Sequence, residues 1–381
     1  MTAALGAGAS RPLSPPIHRS SAFAFDDPDT LADAMARPDG AFVYSRRGNP
    51  TVRALEHMVA DLEGGEAALA TASGMGAISS VLMSILAPGD HVVAQSCLYG
   101  GTHSLLTDLC ARWGIQVTHV SGQDAAEVRA AITPRTRMLY LETISNPTTR
   151  VCDLPALLAE ARTHDILSVV DNSFASPLLC TPIAHGADIV VNSTSKYLAG
   201  HSDVIGGIAV FADKARFRST WARAVEMGAN ADPLAAWLTL RGIQTLPLRM
   251  ARHCSNARRL AHRLTEIPSI AAVHWPGLPS HPDHAIATAM LSDFGGVLAF
   301  DLAGGREAGR IFTKSLRLAA LAPSLGGVET LVLHPASSSH RELDEHALNA
   351  AGIGQGTVRV SVGLEHPDDI VADFVQALAA V

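Results

Sequence analysis

Met138-Leu139-Tyr140-Leu141, Leu154 to Thr163, Ile166-Leu167-Ser168-Val169-Val170 and Ala187-Asp188-Ile189-Val190-Val191 follow one another in a single run of chain. Short apolar runs rich in branched residues read as strands, and the piece from Leu154 carries apolar residues at helical spacing. Strands that alternate with helices imply parallel pairing through crossover helices, hence an α/β core. Working outward, His91-Val92-Val93-Ala94 precedes a helix expected over Thr102 to Trp113, and Ile115 to Val120 precedes one over Ala125 to Ile132. Upstream, Val52, Leu55, Val59 and Leu62 mark an amphipathic helix that Gly64-Gly65 ends. Residues 1–50, rich in proline and turn residues, read as an arm; 51–245 form a large domain with the mostly parallel sheet. Residues 246–381 form a smaller C-terminal α/β domain. Its expected strands are Gly296 to Phe300, Thr330 to Leu333 and Gly356 to Ser361.

Of the 381 residues 48% are hydrophobic, enough for a substantial core. With 17% charged residues and a net charge of -7, no basic footprint for nucleic acid is expected. The uncharged run Ala67 to Gly89 is broken by hydroxyls, glycines and Pro88, so no membrane span is expected either. The first ten residues lack the features of a signal or transit peptide, which makes a soluble, cytoplasmic protein the expectation. Five scattered cysteines without a C-x-x-C pair read as reduced thiols. Neither His281-Pro282-Asp283-His284 nor the span His340 to His346 is a recognisable ligand set, and no metal is expected.

Ligand sites in open α/β sheets gather at the carboxyl ends of strands. One such end carries Asp171-Asn172-Ser173-Phe174 and the next carries Ser193-Thr194-Ser195-Lys196-Tyr197. An acid beside an amine is the division of labour that pyridoxal phosphate needs: a lysine to bind it and an acid to hold its ring nitrogen protonated. Ser73-Gly74-Met75-Gly76 stands where a helix should begin, and free N–H groups there suit a phosphate. Read alone, the same glycines fit a close helix–sheet contact equally well. In the arm, Tyr44 and Arg46 are a candidate phosphate clamp, although Gly48-Asn49-Pro50 is also ordinary turn chemistry.

In this order the segments resemble the PLP-dependent trans-sulfuration (Cys/Met metabolism) enzymes, among them cystathionine γ-lyase, cystathionine γ-synthase and methionine γ-lyase. The matching pieces include Tyr44-Ser45-Arg46, Ser73-Gly74-Met75, Tyr99-Gly100-Gly101-Thr102, Ser145-Asn146-Pro147 and Asp171-Asn172-Ser173-Phe174. They continue with Ser193 to Tyr197, Ser324-Leu325-Gly326-Gly327 and Arg359-Val360-Ser361. The resemblance implies the aspartate-aminotransferase-like fold of type I and pyridoxal 5'-phosphate as cofactor. Lys196 would bind the cofactor covalently and move protons, and Asp171 would pair with its ring nitrogen. Tyr99 would stack on the ring and assist proton transfer. Gly74, Met75, Ser193 and Ser195 would hold the phosphate, joined by Tyr44 and Arg46 from a neighbouring subunit. Arg359, with Asn146 and Ser324, would take the substrate α-carboxylate. A homotetramer, built as a dimer of dimers with shared active sites, follows from the same resemblance. The implied reaction is γ-elimination or γ-replacement on a sulfur-containing or O-acylhomoserine-type amino acid. β-Elimination, a specialised γ-substitution and a non-catalytic paralogue are the remaining readings.

Four positions depart from the family's patterns. His103 and Ser104 stand where cystathionine enzymes commonly carry an arginine, Gly101 where methionine γ-lyases carry a cysteine, and Pro323 where many members carry an acid. Losing the charge partner of a distal carboxylate costs about 2–5 kcal/mol of binding, so cystathionine is expected to be weakened as a substrate.

Overall fold

In a computed structural model, residues 12–37, 40–338, 348 and 352–381 are described. The first sheet holds seven strands in the order β1-β7-β6-β5-β4-β2-β3. They are β1 Ala67–Thr71, β2 His91–Gln95, β3 Gln116–Val120, β4 Thr136–Glu142, β5 Leu167–Asp171, β6 Ile189–Asn192 and β7 Gly207–Phe211. Strands β3, β2, β4, β5 and β6 pair in parallel, whereas β7 runs antiparallel to both β6 and β1. Consequently every strand except β7 points its carboxyl end at the same edge.

Successive residues on these strands enter two different cores, because side chains alternate across a sheet. Leu139, Leu141, Val170 and Val190 face one core; Met138, Tyr140, Val169 and Val191 face the other. Burial on both faces is why the central strands read as continuous apolar runs. The helix Pro50–Glu63 covers one face. Its start is set by the Asn49 side chain accepting the Thr51 N–H and by Pro50 at the first position; its end is Gly64, at φ 76°. The helix Gly74–Ile85 covers the other face, capped by the Ser73 side chain.

A second sheet, in the order β10-β11-β12-β9-β8, is made of β8 Ile270–His274, β9 Val297–Leu302, β10 Ala320–Leu321, β11 Leu331–Leu333 and β12 Thr357–Ser361. Its core includes Trp275, Phe300, Phe312 and Phe374, the last three in mutual ring contact, against the helices Leu246–Thr265, Gly305–Ser315 and Pro367–Leu378.

Two local features differ from the sequence reading. The arm contains a helix, Pro28–Ala36, started by Asp27 accepting the Thr30 N–H and burying only Ala34. The helix expected over Thr102 to Trp113 instead begins at Gly100 and carries a π turn at Leu105–Leu109. Among the described residues no helix is long and apolar enough to cross a membrane, and no group of three or more His, Cys, Asp or Glu could hold a metal. The span His340 to His346 lies outside the described residues.

Candidate active site

The carboxyl ends of β1, β2, β4, β5 and β6 and the near ends of the second sheet enclose a cavity of about 530 Å³. Of the site residues expected from sequence, Gly74, Met75, Tyr99, Asn146, Asp171, Ser193, Ser195, Lys196, Ser324 and Arg359 all line it. Tyr44 and Arg46 do not. In their own chain Arg46 donates to the Val225 carbonyl at 2.7 Å and lies over the Tyr44 ring, which is 46% exposed.

One end of the cavity is basic. Lys196 follows β6 in a turn, and its Nζ donates to Ser324 Oγ at 2.9 Å. Burial first, then the Arg359 charge, push the Lys196 amine below its ordinary range. That shift enlarges the neutral fraction that can accept a proton. Arg359, on β12, donates to Asn146 Oδ1 at 2.9 Å and to the Ser324 carbonyl at 2.8 Å. Its Nε is buried with no partner, a free donor on a guanidinium that burial lowers to about 10. A group at about 10 is still charged at neutral pH, so Arg359 can take a carboxylate. Ser324 serves both cations at φ 124°, a strained backbone for a non-glycine residue that surrounding contacts must hold.

On the cavity wall the helix Gly74–Ile85 presents its amino terminus next to Ser193. A Cβ on Gly74 would lie 3.0 Å from Ser193 Cβ, and one on Gly207 would lie 2.2 Å from the Ser73 carbonyl oxygen. Glycines therefore keep backbone donors and serine hydroxyls clustered around open space, the arrangement that suits a phosphate. Ser195 Oγ accepts the Gly206 N–H at 3.0 Å, which fixes it to the same wall.

Asp171 ends β5, and its Oδ1 accepts the Ser173 N–H at 2.9 Å. Burial raises its carboxyl, and the bonds from Ser173 oppose that rise. An aspartate placed there can hold a protonated ring nitrogen. Sequence reasoning gave no site role to Glu142, Ser173, Phe174, Ile205 and Leu333, which also line the cavity, although the first three stand in the matching motifs. Only Glu142 and Ser173 carried a signal, as polar residues at or just past a strand end.

The sequence model of the family described as Cys/Met metabolism PLP-dependent enzyme matches residues 3–379. L-methionine γ-lyase of Fusobacterium nucleatum subsp. polymorphum is 44% identical over 374 residues, covering 97% of this chain and 94% of the relative. Cystathionine γ-synthase of Mycobacterium tuberculosis is 42% identical over 363 residues, with 95% and 91% covered. Among solved structures, cystathionine γ-lyase from Lactobacillus plantarum complexed with L-serine superposes with a TM-score of 0.90 at 37% identity, covering 96% of this chain and 93% of that one. The chain belongs to the Cys/Met metabolism family of enzymes, and its cofactor is pyridoxal 5'-phosphate.

Proposed function

We propose that this enzyme performs γ-elimination on an α-amino acid with an uncharged, sulfur-bearing γ substituent, methionine being the reference substrate. Water enters, and a thiol, ammonia and a 2-oxo acid leave. The observation that carries this choice is the cavity lining. Among the described residues its basic side chains are Lys196 and Arg359, both bonded to Ser324, and much of the remaining wall is Ile78, Ile144, Phe174, Ile205, Leu325, Leu333 and Pro323. A second carboxylate on the substrate would meet no further cation among this chain's own described lining residues, at a cost of about 2–5 kcal/mol. The L-methionine γ-lyase relatives support the same reading. The cystathionine γ-synthase relative, at similar identity, favours γ-replacement as the second reading, in which a thiol enters once the γ group has left.

The donor set fits pyridoxal phosphate, since open space bounded by Gly74 and Ser193 accepts a phosphate and Asp171 faces a ring nitrogen's requirement for an acid. Gly74 and Met75 N–H groups with the Ser193 and Ser195 hydroxyls would hold the phosphate, Asp171 the ring nitrogen and Lys196 the covalent link. When bound, the cofactor supplies an electron sink for negative charge developing on the substrate. Arg359, with Asn146 and Ser324, clamps the α-carboxylate and so orients the Cα–H bond. Lys196, as a free amine, would take the Cα proton and, once it has given that proton up to the substrate–cofactor system, would be free to take one from Cβ, which would permit the γ group to depart. Tyr99, on the cavity wall, would stack on the ring and assist that transfer. We place Tyr44 and Arg46 at the phosphate of a neighbouring subunit, within a homotetramer built as a dimer of dimers. For the compartment we propose the cytoplasm, a choice supported by cysteines that form no disulfide among the described residues.

The test is a 2-oxo acid and ammonia assay on methionine, cystathionine, O-acetylhomoserine and O-succinylhomoserine, each with and without added thiol. Ammonia from methionine without thiol is expected. Thioether formation without ammonia would replace this reading by γ-replacement.

A further inference from the structure

Glu142 is the last residue of β4 and stands opposite Asp171 in the parallel pairing of β4 with β5. It is 4% exposed and lines the cavity. Its Oε1 accepts the Tyr99 N–H at 2.6 Å, while its own N–H donates to Gln95 Oε1, on β2, at 2.9 Å. Tyr99 is the residue before the helix that starts at Gly100, and its side chain makes no capping bond. Its ring is 50% exposed, so its place depends on where the backbone is held. The carboxyl of Glu142 is the side-chain acceptor for that backbone.

Two buried carboxyl groups at neighbouring strand ends do not both ionise readily. Burial and then Asp171 push Glu142 well above the usual carboxylate range, against the one bond from the Tyr99 N–H that favours its charged form; Asp171 is raised by burial, but two bonds from Ser173, side chain and backbone, favour its charged form. The other titratable neighbours that feel Glu142 are Tyr140 on its own strand, Cys97 beyond β2 and Cys152, with Arg150 close to Cys97. No cation is among the groups that shift the Glu142 carboxyl.

We propose that Glu142 is a positioning residue that works as a neutral carboxylic acid: it fixes Tyr99 through the backbone N–H and leaves the negative charge of the β4–β5 edge to Asp171. This rests on the roles proposed above for Tyr99 and Asp171, so cofactor binding is read separately from turnover. The variants are Glu142→Gln, which keeps an acceptor oxygen without a charge, and Glu142→Ala, which removes it. Apo protein is titrated with pyridoxal phosphate to obtain Kd and the visible absorbance, and kcat and KM are then measured with methionine. Glu142→Ala should weaken cofactor binding and lower kcat, each by about tenfold, with KM nearly unchanged. Glu142→Gln should restore both to within about twofold of the wild type. A Gln variant as impaired as the Ala variant would overturn the neutral-acid role, and an Ala variant equal to wild type would overturn the positioning role. Should methionine not be turned over at all, the Kd and absorbance comparison still decides. Should the Ala variant not fold, a Gln variant with lost cofactor affinity refutes the proposal and one with retained affinity supports it.

Discussion

Replacing Arg359 by alanine removes the guanidinium that spans Asn146 Oδ1 and the Ser324 carbonyl and that holds a buried Nε with no partner. The side chain is 6% exposed, so water cannot substitute for it cheaply. Loss of one partner of a buried, hydrogen-bonded charge pair costs about 2–5 kcal/mol. At about 1.4 kcal/mol per factor of ten, kcat/KM should fall roughly 30-fold to roughly 4,000-fold. Arg359→Lys should fall between wild type and alanine, since it keeps the charge but not the planar fork. The assay is steady-state 2-oxo acid release from methionine, with visible absorbance recorded on the same samples to show that cofactor is retained. A kcat/KM within about threefold of wild type would refute the carboxylate role. So would a loss of activity fully explained by lost cofactor.

Gly74→Ala places a Cβ 3.0 Å from Ser193 Cβ and 3.1 Å from its Oγ, and overpacking of about 1–3 kcal/mol should weaken pyridoxal phosphate binding by about tenfold; an unchanged Kd on apo-protein titration would count against the phosphate cradle. Glu63, fully buried and accepting from Asn172 and Asn192, is pushed up to about 7 by burial, so the stability it contributes is present below its unfolded value near 4.5 and is lost as pH rises through about 7. Glu63→Gln keeps the acceptor oxygen and should remove a pH-dependent loss of about 3 kcal/mol, seen as a smaller fall in melting temperature between pH 5 and pH 8; a parallel fall in both proteins would contradict this. Arg46→Ala and Lys196→Ala should each be inactive alone, yet mixed, dissociated and reassembled they should regain activity in hybrids if Arg46 serves the neighbouring subunit's site. No recovery in verified hybrids would argue for sites contained in single chains.

The central strands were legible because burial on both faces turns each into an apolar run, as in Val169-Val170 and Val190-Val191. β1 was not, since Ala67-Ala68-Leu69-Ala70 has little strand preference and is held by antiparallel pairing with β7, a partner far along the chain. The π turn at Leu105–Leu109 is too short to change the helical period visibly, so it left no trace in the spacing. Within the site, Asp171 and Lys196 announce themselves as polar residues at strand ends. The contacts of Lys196 with Ser324 and of Arg359 with Asn146 join residues more than a hundred positions apart, and no local pattern encodes them. Only the motif resemblance connected those segments; Glu142 stands in one of its matching pieces, beside Thr143, but received no role there, because its bond to the Tyr99 N–H spans 43 positions.

The most direct test of the account fixes pyridoxal phosphate to its lysine with borohydride, digests the protein and locates the labelled peptide by mass spectrometry. The label is predicted on Lys196, with none in the Lys196→Ala variant. A label on any other residue, or full labelling of that variant, would contradict the assignment of this cavity as the site of chemistry.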